Sequence, residues 1–587
     1  MRRWESFDRQ QNCEVGNMAN GVPIIFDETG LGIAQTGLIE VIVKFHGDIL
    51  EVGRQLGIDI EILTSNYAIA SMDVAQLPAF YGFPEVEYVE LPKNLTFFLE
   101  ESLRISCITQ VQSPTSFGLT GSGVIVGIID SGIDFTHPDF INPDGTSRIL
   151  FLWDQTVAGN PPAGFSYGTE FPNERINEAL ASGSPFTIVP SLDVAGHGTA
   201  VAGVAAGNGR ASGGTLRGTA PDAALIIVKL GHSANENFTR STEVMRAIKY
   251  IIEKATALNM PVSINLSYGT NNGSHDGTSL FETFINTMAD QWKTVISVAT
   301  GNEGAAGHHF SSRIAQRETL NVEIAIGGDT NTLYMTLWKN FVDTFTFTLV
   351  SPSGRISPVI LPTQSLTSFT LDNVTVTVFI RQPTHYNPAH EIYFRFQAVD
   401  GVIPQGLWRL TITGNQVVDG RFDIWLPTIE DVSEDISFLN PSLETTLTLP
   451  STALNVISVG GYNAAINTSA DFSGRGYTRN NVYVKPDLVA PAVGIRTSRT
   501  GGGYDVVTGT SFAAPFVTGS AALMMQWGIV SGNDPFLYGQ RVKAFLQKGA
   551  RRVPTLVYPN PIWGYGALCL NGSMDFLVEY QRGGITI

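Results

Sequence analysis

The stretch Gly509-Thr510-Ser511-Phe512-Ala513-Ala514-Pro515 sets a serine at the seam between a glycine-bearing turn and a helix. The helix continues as Phe516-Val517-Thr518-Gly519-Ser520-Ala521-Ala522-Leu523-Met524-Met525-Gln526-Trp527, small or apolar on nearly every side. A helix with no polar face is buried, so the rest of the chain has to supply layers that cover it. A serine in its first turn lies where backbone N–H groups lack an intrahelical carbonyl and the helix dipole favours negative charge. That environment suits an oxyanion. Pro515 is expected within this first turn, where a missing N–H costs little. Alone, the pattern reads first as a helix cap, the commoner role of a serine at such a position.

Two upstream stretches turn the reading toward chemistry. Gly123-Val124-Ile125-Val126-Gly127-Ile128-Ile129-Asp130-Ser131-Gly132-Ile133-Asp134 is a continuous apolar run that ends in an acid and a turn, the pattern of a buried parallel strand. Reactive groups of open α/β sheets gather at the carboxyl ends of such strands. Ala195-Gly196-His197-Gly198-Thr199-Ala200-Val201-Ala202-Gly203 opens a second small-residue helix with an imidazole. Asp130, His197 and Ser511 therefore follow one another in the chain, each at the end of an element. Asp134, Asp139 and His137 lie close by and read as turn or structural residues.

The three stretches, in this order, resemble the subtilisin-like serine peptidases. The resemblance implies that Asp130 orients the imidazole, that His197 is general base and then acid, and that Ser511 attacks the carbonyl; these roles belong to the family template. Ala299-Thr300-Gly301-Asn302-Glu303-Gly304 resembles the family's oxyanion loop, which makes the Asn302 amide and the Ser511 N–H the expected donors. Ser267-Tyr268-Gly269 resembles the family's substrate-binding strand, whose backbone pairs with an extended protein or peptide substrate. The implied activity is peptide hydrolysis through an acyl-enzyme. The alternative from another class is a catalytically silent scaffold that binds a partner or senses a germinant, and the presence of all three residues with their flanks favours the enzyme.

Composition narrows the classes further. The 587-residue chain is too long for one core, and its net charge of −17, from 36 basic and 53 acidic residues, argues against a nucleic-acid surface. Met1-Arg2-Arg3-Trp4-Glu5-Ser6 has no apolar run behind its basic residues and does not read as a secretory signal peptide, so synthesis in the cytoplasm is expected. No run of the roughly eighteen apolar residues that a membrane span requires is present, so none is expected. Cys13, Cys107 and Cys569 are odd in number and far apart, and no disulfide framework is expected. There is no HExxH motif or Cys/His cluster, His308-His309 reads as a solvated pair, and neither metal nor cofactor is expected.

Along the chain, Leu38–Phe45, Ile58–Leu63, Tyr67–Met72 and Val86–Leu91 read as strands, with helices at Ile49–Leu56 and Val74–Tyr81. The order β-α-β-β-α-β is the ferredoxin-like arrangement. Many subtilisin-like enzymes carry an N-terminal pro-segment of this topology, so residues 1–92 are expected to chaperone folding. The enzyme itself is expected to cut the chain between about Pro92 and Cys107, and the freed segment can stay bound non-covalently. Strands and helices alternate over 93–319 and again over 437–587, an α/β pattern that predicts a parallel sheet with helices on both faces. Residues 320–436 show only short alternating strands, such as Leu333–Trp338 and Val374–Ile380, which predict an inserted all-β sandwich or jelly roll. Its Trp338, Phe347, Phe394, Trp408 and Trp425 are expected to be largely core. An inserted jelly roll in a subtilisin-like chain is similar to the germination (Csp-type) peptidases of clostridial spores, which activate a cortex-lytic proenzyme; that likeness implies a spore-associated place.

Overall fold

The apolar run that ends in Asp130 folds as the strand Ile125–Asp130, buried at every position. It lies inside a sheet, paired in parallel with Ala224–Lys229 on one side and Val262–Leu266 on the other. The parallel pairing continues through Ile149–Asp154 on one flank and through Thr294–Ala299 and Ile457–Asn463 on the other. The flanking strands Thr169–Pro172 and Thr468–Ser469 run antiparallel. Side chains alternate across a strand, so Val126 and Ile128 enter the core under the His197–Ala206 and Thr510–Met525 helices. Ile125 and Ile129 enter a second core, under Ser241–Ala257 and Leu280–Ala289. Both faces are covered, which is why these strands carry no polar alternation. Each buried Val, Ile or Leu contributes about 1.5–3 kcal/mol to that layering.

This computed structural model describes residues 38–90, 98–231, 239–481 and 483–583, in two units, Met1–Thr96 and Phe97–Ile587. Cys13, and residues 92–97 at the start of the stretch in which processing is expected, lie outside the described residues, while the helix Phe98–Ile105 occupies much of the rest of that stretch. In the first unit the strand order is Asp59–Ile62, Tyr67–Asp73, Leu38–Phe45, Val86–Glu90, all antiparallel, as a ferredoxin-like topology requires. Val41, Val43 and Phe45 are buried while Glu40, Ile42 and Lys44 face outward. The second expected helix is split: Val74–Gln76 is a 3₁₀ turn and the α-helix covers only Leu77–Tyr81, with Pro78 in its first turn.

Within the second unit, ten strands from His309 to Phe438 form two antiparallel sheets of six and four strands. Val322, Phe347, Phe394 and Trp408, drawn from both sheets, share one core. The strands begin at His309, ahead of residue 320, because His309–Arg313 pairs with Arg421–Trp425. That strand and the outer Leu366–Leu371 have few buried positions and left little apolar pattern to read. Trp425 is buried outside this core, stacked between the imidazoles of His275 and His309 with centroids 4.0 Å and 4.6 Å away. It therefore joins the insert to the loop that follows the Val262–Leu266 strand.

Two expectations are corrected here. His308 and His309 are not solvated; both are buried, His308 bonded to Glu303 and His309 to the Glu444 carbonyl. Cys107 and Cys569 are not independent thiols but a disulfide across 462 residues. The segments that carry them meet where the Leu570 N–H, opening the last helix, donates to the Ser106 carbonyl. The helical stretch Thr510–Val530 passes for a membrane span by length and composition, but 78% of its most apolar window is buried inside the protein. It is the core helix that the composition of the Ser511 stretch demanded.

Candidate active site

Asp130 ends its strand with the carboxylate wholly buried. Its Oδ1 accepts the Ser131 N–H at 2.7 Å and the His197 Nδ1–H at 2.7 Å. His197 opens its helix, and Gly198 after it passes so close to the Asp130 turn that a Cβ would sit 2.2 Å from the Gly132 carbonyl oxygen. Only glycine allows that approach. Ser131 Oγ accepts the Gly198 N–H at 2.9 Å and donates to Asp193 Oδ1 at 2.7 Å.

Asp193 was not singled out by the sequence. The same Oδ1 accepts the Gly196 N–H at 2.9 Å, and Oδ2 accepts the Thr199 N–H at 2.8 Å and its hydroxyl at 2.7 Å. One buried carboxylate thus holds both ends of the turn that carries His197. The signal available was slight: an acid just before a helix start, where the dipole favours one. Burial alone would lower the pKa of His197. Asp130, through its charge and hydrogen bond, and then Asp193 and Glu430 more than offset this, and the imidazole ends above its ordinary value of 6.5.

Ser511 is the second residue of its helix, Thr510–Met525, and is half-buried. Pro515 is therefore not in the first turn but inside the helix. Proline has no N–H to give to the carbonyl four residues back, which here is that of Ser511. That carbonyl instead accepts the Ser267 hydroxyl at 2.9 Å. Asn265 donates to Ser267 Oγ at 2.9 Å and accepts the Thr518 hydroxyl at 3.0 Å, so the end of the Val262–Leu266 strand is tied to the Ser511 helix by side chains. The Phe512 ring lies 5.4 Å from the His197 imidazole, centroid to centroid, which brings the Ser511 turn against the histidine.

The Ala299–Gly304 loop meets the same turn. Asn302 Oδ1 accepts the Thr510 N–H at 3.1 Å and the Thr510 hydroxyl at 3.2 Å, which fixes the amide with its Nδ2 as the outward donor end. Gly301 before it has φ +83°, and a Cβ there would lie 2.4 Å from Thr448 Cγ2. Glu303 after it is buried and accepts from Asn271, His308 and the Ile429 N–H. The Asn302 Nδ2 donates at 2.8 Å to Glu430, an exposed residue on the loop that returns from the β insert. Tyr268 lies near Asp130 and Asp193; burial first, then their charge, raises its hydroxyl pKa and keeps it neutral. Asp134 caps its own turn at Thr136 and also accepts the Gly501 N–H, and Asp139 accepts from Ala211, Ser498 and Tyr504, so both hold distant segments in place. No group of His, Cys, Asp and Glu among the described residues could hold a metal ion.

The subtilase family profile matches residues 121–384 and 413–566, most of the chain and both parts of the sheet around these groups. The chain belongs to the subtilase family. Residues 28–93 of this subtilase match the Csp protease B prodomain. The CspB protease of Clostridium perfringens superposes with a TM-score of 0.76 at 36% identity, covering 82% of this chain and 98% of that one. Subtilisin E of Bacillus subtilis (strain 168) is 30% identical over 247 residues, 41% of this subtilase and 51% of that protein. Subtilisin amylosacchariticus of Bacillus subtilis subsp. amylosacchariticus is 29% identical over 267 residues, 45% of this subtilase and 55% of that protein. The chain spans about half the length of these curated relatives.

Proposed function

We propose that this subtilase is a serine endopeptidase in which Asp130, His197 and Ser511 form the catalytic triad. The observation that carries the reading is the 2.7 Å bond from His197 Nδ1 to a buried carboxylate, with the Ser511 turn packed against the same imidazole. Asp130 fixes the tautomer that leaves Nε2 free to take the Ser511 proton. As Ser511 Oγ adds to the scissile carbonyl, the oxygen becomes an anion at Asn302 Nδ2 and the Ser511 N–H. His197 then returns the proton to the leaving amine, and water releases the acyl group. Ser267, Tyr268 and Gly269 offer backbone to an extended substrate, with affinity that asks little of its sequence.

The prodomain match supports a chain made as a zymogen, and the protein's own activity would cut between about Pro92 and Cys107. Likeness to the clostridial germination peptidases suggests a cortex-lytic proenzyme as the natural substrate. Ser511→Ala tests the core of the reading. The wild type should hydrolyse labelled casein, react with a serine-directed phosphonate and run as two fragments, while Ser511→Ala should do none of these and run as one chain. Hydrolysis by Ser511→Ala refutes the assignment, and an uncut wild type that turns over casein refutes self-processing.

A further inference from the structure

Glu430 reaches the active site from outside the motifs that define it. Its loop joins Arg421–Trp425 to Ser437–Phe438, the return path of the β insert. The loop is pinned on both sides of Glu430: Ile429 N–H donates to Glu303 Oε1 at 2.9 Å, and the Ile436 carbonyl accepts from His308 Nε2 at 2.9 Å. From there Glu430 Oε1 accepts the Asn302 Nδ2–H at 2.8 Å. Thr510 fixes the other end of the Asn302 amide, so Nδ2 cannot turn away without breaking two bonds. A carboxylate oxygen has the charge of the tetrahedral intermediate's oxygen and sits on the donor meant for it.

We infer that Glu430 is a resident occupant of the Asn302 anion site, a carboxylate carried in by the β insert that the developing oxyanion must displace. The inference rests on reading Asn302 as an oxyanion donor. Glu430 is exposed, so it can turn into water at small cost and acts as a competitor, not a block. A solvent-exposed hydrogen bond from a neutral amide to a carboxylate changes an equilibrium by only a factor of a few.

Phenylboronic acid separates competition from support. Ser511 Oγ bonds to boron as its proton passes to His197, giving an anionic tetrahedral boronate with a hydroxyl at the oxyanion position. In the full-length enzyme, Glu430→Ala should bind phenylboronate about three- to fivefold tighter and raise kcat on labelled casein. Glu430→Gln, which keeps an acceptor but loses the charge, should move both less and in the same direction. On an Asn302→Ala background the gain from Glu430→Ala should vanish, since the donor competed for is gone. Unchanged or weaker boronate binding in both Glu430 variants overturns the inference, weaker binding marking Glu430 as a support for Asn302. A wild type that hydrolyses casein beside an inert Ser511→Ala keeps the peptidase reading in place whichever way the Glu430 result falls.

Discussion

Removing the Asp193 carboxylate should loosen the turn that carries His197 while leaving the sheet beneath it intact. Asp193→Ala strips the acceptor from two backbone N–H groups, of Gly196 and Thr199, and from two hydroxyls, of Ser131 and Thr199. The hydroxyls can rotate to other acceptors, but the two N–H groups point where the chain path aims them. A buried donor left unpaired costs about 1–3 kcal/mol, so the pair costs about 4 kcal/mol, and water entering the gap recovers part. Asp193→Asn keeps one acceptor oxygen and should cost about half as much. Because the loss is local, hydrogen exchange in a peptide spanning 193–200 is the suitable assay. Exchange there should speed by at least about a hundredfold in Asp193→Ala, and kcat should fall at least about tenfold as the imidazole loses its fixed position. Asp193 also raises the His197 pKa, so both variants should shift the acid limb of kcat/KM to lower pH. Wild-type exchange and an unmoved acid limb in Asp193→Ala would show that the carboxylate does not hold this turn.

Other outcomes follow from the same geometry. As the proposed base, His197 must be neutral to act and its pKa lies above 6.5, so kcat/KM for casein should be lost as pH falls through a midpoint above that value; a midpoint below 6.5 would contradict the balance of charges described. Asn302→Ala should lower kcat by about 10²–10³ with KM little changed, and a rise in KM alone would mean the amide serves binding instead. Peptide mapping without reductant should recover Cys107 joined to Cys569, and Cys107→Ser should cost about 2–4 kcal/mol of stability in a denaturant titration; free thiols at both positions would refute the pairing.

The layered sheet, the ferredoxin-like unit and the positions of Asp130, His197 and Ser511 were legible because each is written in a local pattern. An apolar run without alternation must be covered on both faces, and a small-residue helix must be buried. Such patterns state that a face is covered but not by what. Ser511 and Ser267 lie 244 residues apart, and their bond exists because Pro515, inside the helix instead of at its start, leaves a carbonyl unclaimed. His275 and His309 look like polar loop residues in isolation, and Trp425 between them like one more residue of the sandwich core; only the meeting of insert and sheet stacks the three rings. Cys107 and Cys569 had no neighbouring cysteine to suggest a pair. The reach of Glu430 to Asn302 is of the same kind. Local periodicity determined the elements and the architecture, and the resemblance carried by the motifs pointed to the reactive residues, whereas the partners of each polar side chain were decided when folding brought remote segments to within hydrogen-bond distance, where a buried donor or acceptor must find one.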